Sequence, residues 1–328
     1  MDDEGERMSR TPAGAATRHE RDLAGRTVAV TGASSGIGYF IAEGLADRGA
    51  SVILLGRSPG KLSAVLGLLR PGAPHRALLL DLEDLDSIHS AGRQLRDADA
   101  LDGLVLNAGI IAAAADRRSS VFGVEATIGV NVLAHLELLS IAFPALERAP
   151  EARVVSTGSI LTKRIPFDRD DWLSERSYAP RVAYAMSRHA AEIAGFELDR
   201  RLAARGSRVA SPVTHPGGAI DALTPDRPGV HRRSTPTRIA AGAIGPLFSR
   251  IVQGKDRAAG SALHALTVRH LPRSSYIGPR HGAAGGPVLS EPVRSSLDAE
   301  TGSWLWQRAE AHLGHPILET TAGSAADD

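Results

Sequence analysis

A tyrosine and an arginine, Tyr184 and Arg188, stand four residues apart early in a segment whose spacing predicts a long helix. On a helix, residues four apart share one face. The arginine can therefore stabilise the phenolate of the tyrosine and make a weak acid usable near neutral pH. Such a pair is common by chance and is more often an ordinary part of a protein surface. Whether it does chemistry depends on the elements around it.

The first such element is a glycine-rich turn between a strand and a helix. The β-branched run Thr27–Thr31 predicts a short buried strand, and an amphipathic helix follows through Arg48. Glycines let a ligand approach the backbone, and the helix N-terminus supplies N–H groups and a positive dipole. We predict that the phosphates of a dinucleotide lie against Gly32, Ser34, Ser35, Gly36, Ile37 and Gly38.

A second strand, Ser51–Leu55, leads to Arg57, where a dinucleotide-binding fold presents a side chain to the adenosine ribose. An acidic residue there would pair with the 2′-hydroxyl of NAD, whereas arginine can form two hydrogen bonds with a 2′-phosphate. The sequence therefore favours NADP(H) over NAD(H). The alternative is that Arg57 is a solvated loop residue.

The spacing of the glycines, G-x-x-x-G-x-G, resembles the short-chain dehydrogenase/reductase family, and the resemblance extends from about Gly25 to Leu318. It implies further cofactor contacts at the ends of later strands. These are Asp81 and Leu82 at the adenine, Asn107, Ala108 and Gly109 beside the central sheet, and Pro216 and Gly217 at the nicotinamide amide. Asp81, or the nearby Asp84, could also cap the helix that follows.

The resemblance also implies a mechanism. Tyr184 exchanges a proton with the oxygen of a carbonyl or alcohol, Ser159 hydrogen-bonds the same oxygen, and the nicotinamide exchanges hydride with the carbon. The cation at Arg188 lowers the pKa of the tyrosine and holds the nicotinamide ribose, and Tyr184 is also expected to contact the cofactor. Asn131 lies on an otherwise apolar helix face and in the family links a proton relay to water. Because a buried amide must be hydrogen-bonded, Asn131 could instead be a structural bridge.

Two positions depart from the pattern of the family. Lysine is usual where this chain has Arg188; arginine keeps the charge, but it is bulkier and does not release a proton in the working range. We therefore expect Arg188→Lys to retain or raise redox activity. Threonine is usual at Asp221, where a carboxylate would bring negative charge near the phosphates. Thr224 could take that role after a small shift of the loop.

The segment between Ser159 and Tyr184 is longer than in most of the family. It is similar to the insertion of the retinol-dehydrogenase-like and protochlorophyllide-reductase-like branch. Its Phe167 and Trp172 could shape a pocket for a sizeable apolar substrate, or they could only hold the loop in place. We place substrate loops at 160–180 and 220–238.

Three hypotheses for function follow. The first is an NADP(H)-dependent oxidoreductase that interconverts a ketone or aldehyde and an alcohol on a fairly bulky apolar small molecule. The second keeps the fold but performs an isomerisation, dehydration or cyclisation with Tyr184 as acid or base, because Arg188 replaces the lysine. The third is a dinucleotide-binding protein without turnover.

The composition argues against several other classes. A formal net charge of +1 in 328 residues gives no field that would attract nucleic acid or an acidic membrane. The chain has no cysteine, which excludes disulfides, thiolate catalysis and zinc-finger chemistry, and no metal site is predicted. No run approaches the roughly 18 consecutive apolar residues of a membrane span. We expect a soluble, cytoplasmic protein, with a homodimer possible by family analogy.

Alternating strands and helices predict a single α/β domain of the doubly wound Rossmann type, with about seven parallel strands and helices on both faces. We place this domain at 23–319, between a disordered N-terminal tail at 1–22 and a disordered C-terminal tail at 320–328.

Within this domain, the helix of Tyr184 is predicted from Arg181 to about Ala204, with Glu192 and Asp199 facing outward. The sixth strand is expected at Val209–Thr214 and the last at Ser275–Pro279. Helices are predicted over 240–252 and from Ser303 onward.

Overall fold

Aliphatic and β-branched runs form one eight-stranded sheet in the computed structural model, which describes residues 22–111, 116–232 and 251–318. The strands are β1 Thr27–Thr31, β2 Ser51–Gly56, β3 Arg76–Leu79, β4 Gly103–Leu106, β5 Arg153–Thr157, β6 Val213–Thr214, β7 Tyr276–Pro279 and β8 Pro287–Leu289. Their order across the sheet is β3-β2-β1-β4-β5-β6-β7-β8. The first seven are parallel, and β8 runs antiparallel to β7.

Helices connect most of these strands. They are α1 Gly36–Ala46, α2 Pro59–Leu66, α3 Leu85–Arg96, α4 Ala126–Ile128, α5 Ala134–Arg148, α6 Pro180–Ala204, α7 Lys255–Ala258, α8 Gly260–Thr267, α9 Arg294–Leu297 and α10 Ala299–Leu313. A π-helical turn, Gly129–Leu133, joins α4 to α5. Short 3₁₀ turns lie at Ile160–Lys163 and Asp221–Leu223.

The sheet separates two apolar layers, as β1 illustrates. Val28 and Val30 are buried in a cluster with side chains of α1, α2 and α8. Ala29 is buried in a second cluster with side chains of α3, α5 and α6. Successive residues of a strand point to opposite faces, so a strand covered on both faces must be apolar throughout. The predicted doubly wound α/β fold is confirmed.

The order of the strands determines where a ligand crevice opens. β1 pairs with both β2 and β4, so the chain first builds the sheet outward to β3 and then returns to the other side of β1. At such a switch point the connections diverge and leave a crevice at the carboxyl ends of the strands. The segments that follow β1, β2, β4, β5 and β6 meet at this edge and contain most of the predicted site residues.

Several element boundaries differ from the prediction. The sheet has eight strands rather than about seven, and β8 was not expected. β6 is shorter than Val209–Thr214, because the residues before it approach β5 only through a bridge at Ala210. α10 begins before the predicted Ser303, because Asp298 caps it by accepting a hydrogen bond from the N–H of Thr301 at 2.8 Å.

Some predictions fall on segments outside the described residues. These are most of the helix at 240–252, the substrate loop after residue 232, and both tails except Asp22.

α6 is more enclosed than its sequence suggests. Glu192 and Asp199, which were expected to face outward, are 0% and 2% exposed, so that prediction was wrong. Ser296 of α9 hydrogen-bonds to Glu192, and the N–H of Ser274 hydrogen-bonds to Asp199. Helical periodicity identifies the faces of a helix, but it does not show which distant segments will cover them.

The continuous helix Ala126–Arg148 is long and apolar enough to cross a membrane by length and composition alone. In the folded chain, 89% of its most apolar window is buried inside the protein. It lies against α3 and α6. Such burial is typical of a core helix.

Candidate active site

The turn after β1 has the shape that phosphate binding requires. Gly32 and Gly36 have φ angles of +68° and +60°, in the left-handed region that favours glycine. At Gly38, an added Cβ would overlap the carbonyl oxygen of Gly32 and lie 2.6 Å from Nδ2 of Asn107. Ser35, the N-cap of α1, makes no side-chain capping bond. The first N–H groups of α1 are therefore left to meet an anion, which fits the dinucleotide phosphates predicted here.

Arg57 lies exposed at the carboxyl end of β2. The strand end packs close to the glycine turn, since a Cβ added to Gly56 would lie 3.3 Å from Oγ of Ser34. Arg57 also lines a cavity of ≈ 310 Å³. Glu83 and Arg118 line the same cavity and form an ion pair at 3.2 Å. The contact of Arg57 with a ribose 2′-phosphate stays a prediction.

Asp81 and Asp84 have separate roles at the end of β3. Asp84 caps α3, and its Oδ1 accepts hydrogen bonds from the N–H groups of Asp86 and the next residue at 3.0 and 3.4 Å. Asp81 accepts a hydrogen bond from the N–H of Glu83 at 3.0 Å and so holds the turn, while Leu82 is buried. Asp81 remains at the crevice edge, the position predicted for the adenine pocket.

Asn107 and Ala108 connect the end of β4 to the end of β1 by hydrogen bonds. The hydroxyl of Thr31 accepts hydrogen bonds from the N–H groups of Asn107 and Ala108 at 2.9 and 3.0 Å. Nδ2 of Asn107 donates to the carbonyl of Thr31 at 3.0 Å. The ends of β1 and β4 are therefore joined where the crevice opens.

Asn131 sits inside the π-helical turn and bridges two segments. Its Oδ1 accepts from the N–H of Ile110 at 2.9 Å, and its Nδ2 donates to the carbonyl of Ile110 at 3.1 Å and to Oγ of Ser187 at 2.9 Å. The Asn131 carbonyl accepts from Nδ1 of His135 at 3.2 Å. Burial lowers the pKa of His135 to about 4, so this ring is neutral. Asn131 thus forms the structural bridge, and its part in a proton relay stays a prediction.

Arg188 connects α6 to two strand ends and is only 6% exposed. Nη1 donates to the carbonyl of Thr157 at 3.1 Å, and Nη2 donates to the carbonyl of Ala108 at 3.5 Å. A Cβ added to Gly109 would overlap Nη2, so glycine is needed there. Cζ of Arg188 lies 5.6 Å from the ring centroid of Tyr184, within the range of a cation–π interaction. Arg188 therefore links the end of β5 to the segment after β4, and it places a positive charge beside Tyr184.

Tyr184 and Ser159 complete the candidate site. Tyr184 is half-buried near the start of α6, and among the described residues none hydrogen-bonds to its hydroxyl. Ser159 follows β5 and is 8% exposed. Its Oγ accepts a hydrogen bond from the N–H of Leu161 at 3.2 Å, which leaves its own proton to donate. Through Thr157, Arg188 joins the helix of Tyr184 to the strand of Ser159, but these two side chains do not hydrogen-bond to each other directly.

Pro216 and Gly217 follow β6 at the same edge. Gly217 has a φ of +69°, and an added Cβ would overlap the carbonyl oxygen of Ala283. The carbonyl of Pro216 accepts from Nε2 of Gln253 at 2.9 Å. The turn is therefore fixed from both sides, which suits a contact made by backbone groups.

The structure gives Asp221 and Thr224 partners within and beside their own loop. Asp221 is exposed and forms an ion pair with Lys255, which offsets its charge. Oγ1 of Thr224 donates to the carbonyl of Ile220 at 2.8 Å and accepts from the N–H of Lys255 at 3.0 Å. Both side chains are thus committed to holding their own loop.

The insertion before Tyr184 is held down by its aromatic side chains. Trp172 is 6% exposed, and its ring lies 5.7 Å from that of Trp304 on α10. The Phe167 ring lies 6.3 Å from the same Trp304 and 5.3 Å from His189. These contacts support the second interpretation of the loop, in which the aromatic residues hold it in place.

Sequence reasoning missed Glu192 as a feature of the site. Burial raises the pKa of this carboxyl to about 7. Its Oε1 accepts hydrogen bonds from the N–H of Ser159 at 3.2 Å and from the hydroxyl of Tyr276 at 3.0 Å. Nothing in the sequence distinguishes this glutamate from one that faces solvent, because Tyr276 lies far along the chain.

Comparison with known proteins agrees with this geometry. A family model described as short chain dehydrogenase matches residues 26–168. Human retinol dehydrogenase 13 is 30% identical over 313 residues, which cover 93% of this chain and 92% of the relative.

Solved structures share the fold. An uncharacterized protein from Mycobacterium paratuberculosis has a TM-score of 0.72 and 29% identity, with coverage of 92% of this chain and 97% of that chain. A short chain dehydrogenase from Burkholderia cenocepacia, in complex with NADP, has a TM-score of 0.55 and 26% identity, with coverage of 81% and 99%. With its fold, its glycine turn and these similarities, the chain belongs to the short-chain dehydrogenase family of oxidoreductases, in its retinol-dehydrogenase-like branch.

Proposed function

We propose that this enzyme is an NADP(H)-dependent oxidoreductase that interconverts an aldehyde or ketone and an alcohol on a fairly bulky apolar small molecule. Tyr184 is its general acid and base, and Ser159 orients the reacting oxygen. The observation that carries the proposal is the Arg188 cation, 5.6 Å from the ring centroid of a half-buried Tyr184, at the same edge as the glycine turn.

Tyr184 donates the proton that a carbonyl oxygen takes up on reduction, and it recovers that proton in the reverse direction. A phenolate forms as the proton leaves. The Arg188 cation beside the ring stabilises this negative charge, and the interaction is strong because the guanidinium is buried. A positioned general acid of this kind contributes on the order of 10²- to 10⁴-fold to the rate.

Ser159 places the substrate oxygen within reach of Tyr184. The N–H of Leu161 occupies one lone pair of the serine oxygen. The hydroxyl proton then points elsewhere and can donate to the carbonyl or alcohol oxygen of the substrate. A donor held in this way fixes the oxygen before the proton moves, and it stabilises the charge that develops on that oxygen.

The residues around the crevice fit a bound dinucleotide. The first N–H groups of α1 would hold the phosphates, and Arg57 would pair with a 2′-phosphate, which favours NADP(H) over NAD(H). The Burkholderia relative in complex with NADP supports this choice. When bound, the cofactor supplies or accepts the hydride.

Exposed aliphatic side chains around the crevice support an apolar substrate. Ile111 follows β4 and is 71% exposed, Val182 lies in the first turn of α6 at 42%, and Ile220 follows β6 at 37%. They come from three segments at the carboxyl edge of the sheet. Human retinol dehydrogenase 13, a relative of this chain, is named for an apolar alcohol, which agrees with a bulky apolar substrate.

The direct test is to titrate the purified protein with NADPH and NADH, and then to follow nicotinamide absorbance with all-trans-retinal, a prenyl aldehyde and a bulky cyclic ketone. We expect tighter binding of NADPH and its oxidation by at least one carbonyl. Binding of NADPH without oxidation across the panel would favour non-redox chemistry at Tyr184. Failure to bind either nucleotide would refute the proposal.

A variant of Tyr184 tests whether this residue is the general acid. Tyr184→Phe should lower kcat by on the order of 10²- to 10⁴-fold, with a much smaller effect on NADPH binding. Tyr39→Phe is the matched control, because that hydroxyl already has a partner in Glu43, to which it donates at 2.7 Å. Equal activity of the Tyr184→Phe and wild-type enzymes would remove Tyr184 from the mechanism.

A further inference from the structure

Glu192 is a fully buried carboxyl directly behind Ser159. It is 0% exposed, and its Oε1 accepts hydrogen bonds from the Ser159 N–H and the Tyr276 hydroxyl at 3.2 and 3.0 Å. Its Oε2 accepts from Oγ of Ser296 at 2.9 Å. A Cβ added to Gly158 would overlap the carboxyl, so the peptide before Ser159 lies against it. Burial of a carboxyl is costly unless donors surround it, and here they do.

Two successive turns of α6 hold the chain on either side of Gly158. Arg188 donates to the carbonyl of Thr157, and Glu192, four residues later, accepts from the N–H of Ser159. The segment that presents the serine is therefore fixed at both of its ends by the helix that carries Tyr184. A change at Glu192 would move the serine relative to the tyrosine without touching either side chain.

We propose that Glu192 is a positioning residue for Ser159 and that its ionised carboxylate sets the direction in which the serine hydroxyl faces the substrate oxygen. This inference rests on the proposed function, in which Ser159 hydrogen-bonds that oxygen. Glu192 itself reaches neither substrate nor cofactor.

The carboxyl changes charge in the neutral range. Burial raises the pKa of Glu192 to about 7, although its hydrogen-bond donors oppose the shift. Three titratable neighbours have pKa values away from this range. The pKa of Tyr276 is raised by burial and by the carboxylate, and the pKa values of His189 and His215 are lowered to about 4 by burial. Tyr276, His189 and His215 therefore do not change charge together with Glu192 near pH 7.

Protonation weakens the hold on Ser159. A neutral carboxyl is a poorer acceptor than a carboxylate, because charge-assisted hydrogen bonds are roughly twice as strong. Its new proton would also have to be accepted by one of the hydroxyls around it, of Thr162, Tyr276 or Ser296, which changes the hydrogen bonds that the carboxyl makes. The rate of reduction should therefore fall as the pH falls through about 7.

The test compares pH profiles of kcat for NADPH-dependent reduction of all-trans-retinal in wild type and in four variants, which are Glu192→Gln, Ser159→Ala, the double variant of these two, and Glu197→Gln. Wild type should show a step near pH 7, and Glu192→Gln should lose that step, with kcat lowered about three- to tenfold at high pH, the size of one weakened hydrogen bond, and little change in KM. Ser159→Ala should make the enzyme insensitive to Glu192→Gln, since there is no longer a hydroxyl to position. Glu197→Gln, another buried carboxyl of α6 that pairs with Arg200 and Arg201, is the control and should leave the profile unchanged.

Two readouts separate this inference from the proposed function. Carbon-13 NMR of the labelled Glu192 carboxyl should give a titration near pH 7 without any substrate. Between about pH 7 and about pH 4.5, the Glu192 carboxyl is protonated in the folded chain and ionised in the unfolded chain. The free energy of unfolding of wild type should therefore rise relative to that of Glu192→Gln as the pH falls through this range. Tyr276→Phe removes a donor to the carboxylate and should move both the NMR midpoint and the kinetic step to higher pH. This variant tests the inference even if the Glu192→Gln protein does not fold.

A wild-type enzyme that reduces no carbonyl would refute the proposed function, whereas the NMR and unfolding results would still report on the carboxyl. Persistence of the kinetic step near pH 7 in Glu192→Gln would overturn the positioning role. So would additive effects of Ser159→Ala and Glu192→Gln on kcat, or a Glu192 carboxyl that titrates at an ordinary acidic pH.

Discussion

Arg188 combines two roles that can be separated by substitution. It places a cation beside Tyr184, and it bridges the carbonyls of Thr157 and Ala108. Lysine keeps the cation but has a single ammonium in place of the planar fork, so it cannot reproduce both bridges in the same way. Charge and bridging therefore make different demands on this position.

For Arg188→Lys we expect kcat to be retained or raised, because the phenolate still has its cation. For Arg188→Met we expect a loss of about 10²-fold, comparable with the removal of one donor that stabilises a developing charge. Steady-state kinetics with NADPH and a reducible carbonyl measure both. If lysine were as damaging as methionine, the bridge between the strands, rather than the charge, would be the main contribution of Arg188.

Arg57 carries the predicted choice of cofactor. Arg57→Asp exchanges an exposed cation at the end of β2 for a carboxylate that can pair with the 2′-hydroxyl of NAD. We expect the ratio of the Kd values for NADPH and NADH to change at least about tenfold toward NADH, roughly 1.4 kcal/mol. Fluorescence titration with each nucleotide measures the two Kd values.

Arg70→Asp is the control for this prediction, because it makes the same change of charge at an exposed site after α2, and it should leave the ratio of the Kd values unchanged. An unchanged ratio in Arg57→Asp would refute the assignment of Arg57 to the ribose.

At the scale of elements, the helix that holds the phosphates offers a matched pair of glycines. Gly38 and Gly44 both lie in α1 and both have neighbours close to an added Cβ. At Gly38 the neighbours are the Gly32 carbonyl and the Asn107 amide, which hold the turn in shape. At Gly44 the neighbour is the end of the Leu263 side chain, which can move aside.

We therefore expect Gly38→Ala to weaken NADPH binding at least about tenfold, because the turn must open to make room for the methyl group. Gly44→Ala should bind NADPH as wild type does. Isothermal titration calorimetry on the two proteins compares them directly. Wild-type affinity in Gly38→Ala would show that the phosphates lie elsewhere.

The elements that could be predicted are those with a local signal. The strands β1, β4 and β5 are apolar runs bounded by turns, and their predicted ends agree with the structure. β8 has only three residues and no alternation, and the π-helical turn around Asn131 has no pattern of its own. Its extra residue per turn depends on the packing of the surrounding segments, which a local sequence cannot show.

The same limit applies to the candidate site. Gly32 to Gly38, Ser159 and Tyr184 could be found because motifs and strand ends place them. The burial of Glu192 depends on Tyr276 and Ser296, which come together with it only in the folded chain. Side chains whose environment is made by distant segments are therefore the ones that sequence reasoning misses.

At the scale of the whole molecule, the C-terminal helix changes what is exposed beside the site. α10 packs against α6, and its Trp304 contacts the insertion before Tyr184. A homodimer through helices next to Asn131 and Tyr184 stays a prediction, as does a cytoplasmic location. Because α10 already covers part of α6, such a dimer could use only the part of α6 that α10 leaves exposed.

Three buried histidines, His135, His189 and His215, contribute to the response of the folded state to acid. Burial lowers the pKa of each to about 4, from an ordinary value of 6.5. Between these values the unfolded chain binds more protons than the folded chain, so stability must fall as the pH falls. Glu192 acts in the opposite direction between about 7 and 4.5, but it is one group against three.

We therefore expect the free energy of unfolding to fall as the pH falls from about 6.5 to about 4, by an amount on the order of 1–3 kcal/mol for each histidine. Urea unfolding at several pH values across this range measures the slope. His135→Gln should reduce it, because an amide takes up no proton on unfolding, whereas His270→Gln, at an exposed position, should not. Glu192→Gln should make the loss steeper, since the only opposing contribution among these four groups is gone. A slope that His135→Gln leaves unchanged would mean that the folded chain does not hold this ring neutral, although its Nδ1 lies 3.2 Å from the Asn131 carbonyl and its Nε2 lies 3.0 Å from Oγ1 of Thr31 in β1.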